Sequence, residues 1–329
     1  MPLHVFLGSA MKAVGLFSFG GPEVLQVVDR DTPHAGPGEV RIRVGAAAVN
    51  PADTVIRSGA SPLRFQGSEP IIPGLDVAGT IDEVGVGSDV GLSVGDRVIA
   101  MVNPTLRNGG GYVEQVVLPA SWVVPAPAGA DDAEAATLPL NGLTALRALD
   151  QLDLATGSTL AVTGAAGAVG GFAVQLAKVA GHRVLADASS ADAELVAALG
   201  ADEVVPRGSA VAEQFRAHAP DGVDAAVDAA VIGTPLLGAI RKGGRLASVR
   251  GVSGQRAFEK AAERHGVQLF ATFVHDYDGR PDKLDLLRQL AGEGKLTMRV
   301  AGRFPPEEAA HAHRLLEAGG VRGRLILEF

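Results

Sequence analysis

Residues 159–181, TLAVTGAAGAVGGFAVQLAKVAG, constrain the fold of this chain more than any other stretch. Leu160 to Thr163 is a short apolar run of strand type, Gly164 to Gly170 is a glycine-rich turn, and Val169, Phe172, Leu176 and Val179 recur at helical spacing. The stretch predicts strand, tight turn and helix. A helix opening on such a turn aims unpaired N–H groups and the positive end of its dipole at one spot, which suits a pyrophosphate. Gly167 and Gly170 carry no Cβ to block the approach of backbone to phosphate, or of helix to strand. The pattern departs from G-x-G-x-x-G at its first position, where Ala165 stands with Gly164 just before it. Gly164, Ala165, Gly167, Ala168, Val169 and Gly170 are therefore candidates for binding a dinucleotide. The competing explanation is a glycine-rich helix packed closely on a sheet.

The surrounding sequence separates these explanations. Strand patterns at 160–163, 183–187, 203–206, 223–228, 245–250 and 267–273 alternate with helical ones at 168–180, 191–199 and 211–217, and with a helix that has Pro235 in its first turn. Such alternation with short connections predicts a parallel sheet with helices on both faces, an α/β Rossmann domain of the doubly wound type. From Met11 to about Pro127, short apolar runs separated by Gly, Pro and Asp predict a β-rich module with no long helix. Alanine and leucine content rises from 129, where Asp131 or Asp132 can cap a helix. A helix at 306–317 and a strand at 323–328 follow a boundary near Lys295 and are assigned back to the β-rich module. The expected organisation is 11–128 plus 296–329 as one domain and 129–295 as the other. Residues 1–10 are set apart as an extension, because Met11-Lys12-Ala13-Val14 looks like a natural start.

Composition excludes several functions. With 29 basic and 37 acidic residues the net charge is −8, so the chain has no electrostatic footprint for nucleic acid or an anionic membrane. It has no cysteine, which removes disulfides, thiol nucleophiles and thiolate metal sites. The apolar stretch 159–181 is interrupted by Gln175 and Lys178 and reads as buried α/β rather than membrane-spanning. MPLHVFLGSA at the start is too short and uncharged for a secretory signal, so a cytoplasmic protein is expected.

Several ordered phrases carry a family resemblance: MKAVGLFSFGGPEVLQV, VNPADTVIRSG, PGLDVAGTIDEVGVGSDV, VGDRVIA, LPLNGLTALRAL, AAGAVG, LGADEVV and GGVRGRLIL. Together they resemble the zinc-independent medium-chain dehydrogenase/reductases, the quinone oxidoreductase and enoyl reductase branch. The resemblance implies a GroES-like substrate domain around an inserted Rossmann domain, an active site in the cleft between them, and a homodimer. It also implies NAD(P)H-dependent hydride transfer, without metal, to an enone or enoyl C=C bond or to a quinone; the alternatives are a zinc-free carbonyl reductase, or an NADPH-binding scaffold with little turnover. Zinc-dependent relatives hold their metal with a Cys and a His-Glu pair; the corresponding positions here are Asn50, Leu75 and Asp76. Leucine cannot ligate a metal, and catalytic zinc needs three protein ligands. Neither His311 nor His313 repairs the set, because two positions on a helix differ by about 200°; both are read as solvated surface residues.

Metal-free reduction of a conjugated carbonyl requires the nicotinamide to face an electrophilic carbon, with hydrogen-bond donors for the charge that develops on oxygen. Asn50 is the candidate catalytic and cofactor-binding residue: in the family this Asn lies beside the nicotinamide, and its amide can meet the ribose or the substrate carbonyl. An Asx-type turn before Pro51 is the alternative. Asp53 and Arg57 share a helical face with Asn50 and are read as a structural ion pair or supporting layer. Val55 stands where many relatives have a tyrosine able to donate a proton. Thr144, in LPLNGLTA with Asn141, matches a family segment that contacts cofactor, although it can equally pack within its helix. His275 is weighed as a substrate contact, and Leu63, Phe65, Phe273 and Tyr277 as an apolar cleft lining or simply core and loop. The choice of cofactor stays open. Asp187, at the end of the second Rossmann strand, and Asp192 favour NADH, because a carboxylate there binds the adenine ribose and repels a 2′-phosphate. Arg207, with Ser189 and Ser190 nearby, favours NADPH through a bidentate clamp. Arg250, ending the strand at 245–250, is a further cofactor-binding candidate. Family precedent tips the expectation to NADPH, with NADH possible.

Overall fold

The computed structural model describes residues 10–61, 70–88, 91–106, 109–249 and 255–329. The chain separates into two compact units. One comprises Met1–Leu140, Asp278–Gly292 and Met298–Phe329; the other comprises Asn141–Tyr277 and Glu293–Thr297.

The second unit is built on a six-stranded sheet ordered Glu203–Pro206, Arg183–Ala188, Thr159–Thr163, Val223–Asp228, Ile240–Ser248 and Gln268–Ala271. Every neighbouring pair is parallel. Strands covered on both faces need continuous apolar runs, and Leu160, Val162, Leu185, Ala226, Val227 and Leu246 are buried accordingly. Numbered along the chain the order is 3-2-1-4-5-6, so the direction of winding reverses between Thr159–Thr163 and Val223–Asp228. In such sheets ligands bind beyond the carboxyl ends of the strands at this switch point. The glycine-rich turn is there.

Two helices lie beyond the sequence-based pattern. Arg256–His265 buries only Phe258, Ala261 and Ala262, a three-residue stripe in an otherwise charged segment, and ends on Gly266 at φ 66°. Pro281–Gly292 buries Leu284, Leu287, Leu290 and Ala291. Both have the i, i+3, i+4 spacing of one helical face. Conversely, the helix expected at Pro235 is a short 3₁₀ segment, Thr234–Ala239, and the strand after it begins early, at Ile240.

The first unit is centred on the strand Glu39–Val49, which pairs antiparallel with Asp76–Val84, Gln115–Pro119 and Arg324–Glu328. The C-terminal strand thus completes a sheet begun almost 300 residues earlier, with Val300–Phe304 at its edge. Ile42, Val44, Val77, Ile81, Val98, Tyr112 and Leu325 form its core. The helix Pro51–Ser58 follows the central strand directly, with Pro51 in its first turn and Gly59 closing it at φ 78°. Asn50 is thereby placed at the junction of strand and helix. Among the described residues no helix is long and apolar enough to cross a membrane.

Candidate cofactor and active site

Two glycines hold the turn after Thr159–Thr163 in shape. Gly164 has φ 66°, a left-handed conformation that disfavours other residues. A Cβ on Gly170 would stand 2.3 Å from the Gly164 carbonyl oxygen and 2.7 Å from its carbon, so the first turn of the helix Ala168–Val179 closes directly onto the loop. Gly167 is less constrained: it caps the helix at φ −75°, and an added Cβ would meet only Gly164 O, at 3.1 Å. Closeness of helix to loop therefore belongs to Gly170. Ala165 and Ala168 are buried, whereas Gly164, Gly167 and Val169 remain partly open.

Asp187 is fully buried and turned into this loop. Its Oδ1 accepts the Gly164 N–H at 2.6 Å, while Oδ2 makes no hydrogen bond and lies 3.4 Å from Arg207 Nε. Burial raises the carboxyl above its usual range; Arg207 and the N–H groups of Gly164 and Ala165 oppose that shift without cancelling it. One Asp187 oxygen thus serves the turn, and the other lies beside Arg207. Arg207 is fixed by its own N–H to Ala188 O at 2.9 Å, yet its side chain stays 43% exposed. Ser189 donates to Asp192 Oδ2 at 2.6 Å, and Ser190 is exposed. The result is a guanidinium at the carboxyl edge of the sheet, beside a carboxylate that faces inward. This arrangement fits a phosphorylated ribose better than a bare one.

Sequence reasoning missed Asp228. Buried at the end of the neighbouring strand, it accepts from Thr163 Oγ at 2.7 Å, Ile232 N at 2.9 Å and Gly233 N at 2.8 Å. These bonds hold a tip on which Val231, a β-branched residue, has φ 57°. That conformation is an outlier for such a side chain and is kept only where surroundings enforce it. An acid ending a strand, followed by a small-residue stretch, was the signal available in VDAAVIG.

In the first unit the positions matched to zinc ligands come together in another way. Asn50 Nδ2 donates to Asp76 Oδ2 at 2.6 Å and to Ala48 O at 3.3 Å, and all of Asn50 is buried. Asp76 Oδ1 accepts the Leu140 N–H, and Leu75 packs in the core. Asp53 accepts from Asn50 N at 2.8 Å, Gly74 N at 2.8 Å and Tyr112 OH at 3.2 Å. Burial pushes Asp53 up to about 6 and Asp76 up to about 7, despite these donors and the charge of buried Arg324. Arg324 itself is lowered to about 10 by its burial. Among the described residues no group of three or more His, Asp or Glu side chains stands where it could hold a metal.

Two expectations for this unit are overturned. Arg57 pairs with Glu317 at 2.6 Å, not with Asp53, because the helix Ala309–Ala318 packs against Pro51–Ser58. His313 is buried, not solvated. Arg57 Nη1 approaches its Nδ1 at 3.4 Å, so Nδ1 accepts, and the remaining proton sits on Nε2, 3.3 Å from Tyr112 OH. Burial, reinforced by Arg57, lowers its pKa to about 3. His311 is exposed and lies against Phe304, 5.7 Å between centroids.

The other candidates are dispersed. Thr144 and Asn141 are buried on the helix Pro139–Leu152. Tyr277 is buried, bonded through its hydroxyl to Asp150 and covered by the Arg147 guanidinium at 5.6 Å, so it belongs to the core rather than to a cleft. Phe273 is half exposed against His275, at 5.1 Å. Leu63, Phe65 and Arg250 lie outside the described residues.

A Rossmann sheet with a glycine turn at its switch point, carried on one chain with a sheet-rich unit closed by its own C-terminus, defines a nucleotide-dependent dehydrogenase or reductase. Comparison with known proteins agrees. Residues 36–128 match the alcohol dehydrogenase GroES-like domain and residues 199–327 match a domain described as zinc-binding dehydrogenase. The chain is 32% identical to the quinone oxidoreductase of Rattus norvegicus over 332 residues, covering 96% of this chain and 97% of that one. It is 29% identical to the chloroplastic NADPH-dependent alkenal/one oxidoreductase of Arabidopsis thaliana, over 96% of this chain and 79% of that protein. A mycobacterial protein solved in complex with NADPH superposes with a TM-score of 0.84 at 30% identity, over 97% of this chain and 100% of that one. The chain belongs to the medium-chain dehydrogenase/reductase family, in its quinone oxidoreductase branch.

Proposed function

We propose that this protein is an NADPH-dependent reductase of activated C=C bonds, as in enones, or of quinones. The observation that carries the reading is the cofactor turn: Gly170 closes onto Gly164, Asp187 braces the loop from within, and Arg207 stands exposed beside it. Bound NADPH supplies the hydride. The chain's contribution is to seat its pyrophosphate on the N–H groups that open Ala168–Val179 and to hold the 2′-phosphate with Arg207. The part 11–128 with 296–329 serves as substrate domain and 129–295 as cofactor domain, with Asn50 meeting the nicotinamide half. The relatives named for quinones and for alkenals and alkenones support the substrate class.

Cofactor oxidation followed by absorbance against a panel of quinones and enones tests the reading. Turnover with at least one class, and no turnover of simple saturated aldehydes or ketones, is expected. Tight NADPH binding with no turnover of either class contradicts it.

A further inference from the structure

The tip that joins the strand Val223–Asp228 to the segment Thr234–Ala239 is strained where packing does not repay the strain. Val231 has φ 57°, a left-handed conformation that turns ordinarily give to glycine or asparagine. A β-branched residue stays there only when its surroundings enforce it. Here they do: Ala230 N donates to Thr163 Oγ at 3.2 Å, Ile232 N to Asp228 Oδ1 at 2.9 Å and Gly233 N to Asp228 Oδ2 at 2.8 Å. Thr163 Oγ in turn donates to Asp228 Oδ1 at 2.7 Å, which staples the tip to the strand leading into the glycine turn. Ile232 packs against the core, whereas Val231 is 39% exposed. The fold therefore holds Val231 in an unfavourable conformation without burying it.

The tip also lies where a dinucleotide must pass. A Cβ on Gly164 would stand 3.1 Å from Ala230 N and 3.2 Å from Ala229 C, so the tip rests on the glycine turn itself. Arg207 follows the strand Glu203–Pro206 on one side of Thr159–Thr163, and the tip follows the adjoining strand on the other side. A dinucleotide with its pyrophosphate on the glycine turn and its 2′-phosphate at Arg207 extends its nicotinamide half across the tip. We infer that Asp228 and Thr163 are positioning residues, which force Val231 into its strained conformation and so hold its side chain as a fixed apolar ledge for the nicotinamide half of the cofactor. The ledge is formed before the cofactor arrives, so binding carries no cost for ordering it. The inference rests on the reading that NADPH binds at the glycine turn with its adenine end at Arg207.

Isothermal titration with NADPH and with adenosine 2′,5′-bisphosphate, its adenine half, tests this alongside thermal unfolding. Glycine adopts φ 57° without strain, so Val231→Gly should leave the melting temperature unchanged or raise it. In that variant NADPH affinity should fall about tenfold, the scale of one aliphatic side chain taken out of water, while bisphosphate affinity stays within about twofold. Equal or higher stability with weaker binding is a combination that a merely structural valine does not produce. Thr163→Val keeps the branched shape but removes the hydroxyl that holds Ala230 N and Asp228, and should weaken NADPH binding about fivefold, the scale of one hydrogen bond. Thr163→Ser keeps the hydroxyl and should bind NADPH as the unmodified protein does. Added to Val231→Gly, Thr163→Val should cost little more, because the ledge is already gone.

Unchanged NADPH affinity in Val231→Gly, a lowered melting temperature in that variant, or an equal loss of NADPH and bisphosphate overturns the inference. Additive losses in the double variant overturn it as well. Should Thr163→Val fail to fold, Val231→Gly decides alone. Failure of the unmodified protein to bind the bisphosphate contradicts the cofactor reading itself, and the inference falls with it.

Discussion

Gly170→Ala is expected to lower NADPH affinity by about 10- to 100-fold and the melting temperature by several degrees, the consequence of roughly 1–3 kcal/mol of overpacking. The new methyl would sit 2.3 Å from Gly164 O and 2.9 Å from Ala165 Cα, all backbone, so no side chain can rotate away. Relief must come from the helix Ala168–Val179 backing off the loop or the loop opening. Either movement displaces the N–H groups proposed to seat the pyrophosphate and loosens Asp187 from Gly164. Gly167→Ala provides the contrast. Its Cβ meets a single carbonyl oxygen at 3.1 Å and its φ suits any residue, so stability should change little. A ligand approaching Gly167 would still feel the methyl. If Gly167→Ala weakens binding without loss of stability while Gly170→Ala costs both, phosphate approach and helix packing are assigned to different glycines. Isothermal titration with NADPH and thermal unfolding of both variants decide this; equal effects on stability contradict it.

Arg207→Ala is expected to reduce the ratio of kcat/KM for NADPH over NADH by about 10- to 100-fold, most of it through NADPH, on the scale of a charge-assisted guanidinium–phosphate contact. The same change leaves the Asp187 carboxyl buried without its cation, which raises its pKa further. Asp187→Asn separates the two contributions. Its amide oxygen can still accept from Gly164 N, the negative charge is gone, and Arg207 is released, so preference for NADPH should hold or increase. A wild-type cofactor ratio in Arg207→Ala removes Arg207 as the determinant. A collapse of NADPH preference in Asp187→Asn would show that the carboxylate aligns Arg207 rather than competing for it.

Much of this architecture could be read from the sequence because it depends on local pattern. Parallel strands covered on both faces are largely apolar, so the run from Leu160 to Thr163 declared itself as a strand, and the glycine turn between 163 and 168 marked the first βα unit. Arg256–His265 did not, since three small contacts suffice to seat a helix whose other faces are charged. The buried corner was legible only in part. Asn50 and Asp76 were both singled out, but their hydrogen bond spans 26 residues and depends on two strands of one sheet lying in register. His313 was misread for a related reason: helical spacing placed it on a different face from His311, but only the packing of Ala309–Ala318 on Pro51–Ser58 shows which face is buried. Asp187 illustrates a different limit. Its position at the end of a strand was right, but a side-chain rotamer decides whether such an acid meets a ribose or its own loop, and sequence spacing carries no rotamer.

The central claim, reduction by hydride from a nicotinamide, is tested most directly by the fate of a labelled hydrogen. NADPH carrying deuterium at C4 of the reduced ring, on each face in turn, should be incubated with the protein and an enone that it turns over. One of the two labels is predicted to appear at the β-carbon of the saturated ketone, with the α-hydrogen drawn from solvent. A reduced product with no deuterium at the β-carbon from either label, or with deuterium at the carbinol carbon of an allylic alcohol, would contradict the account.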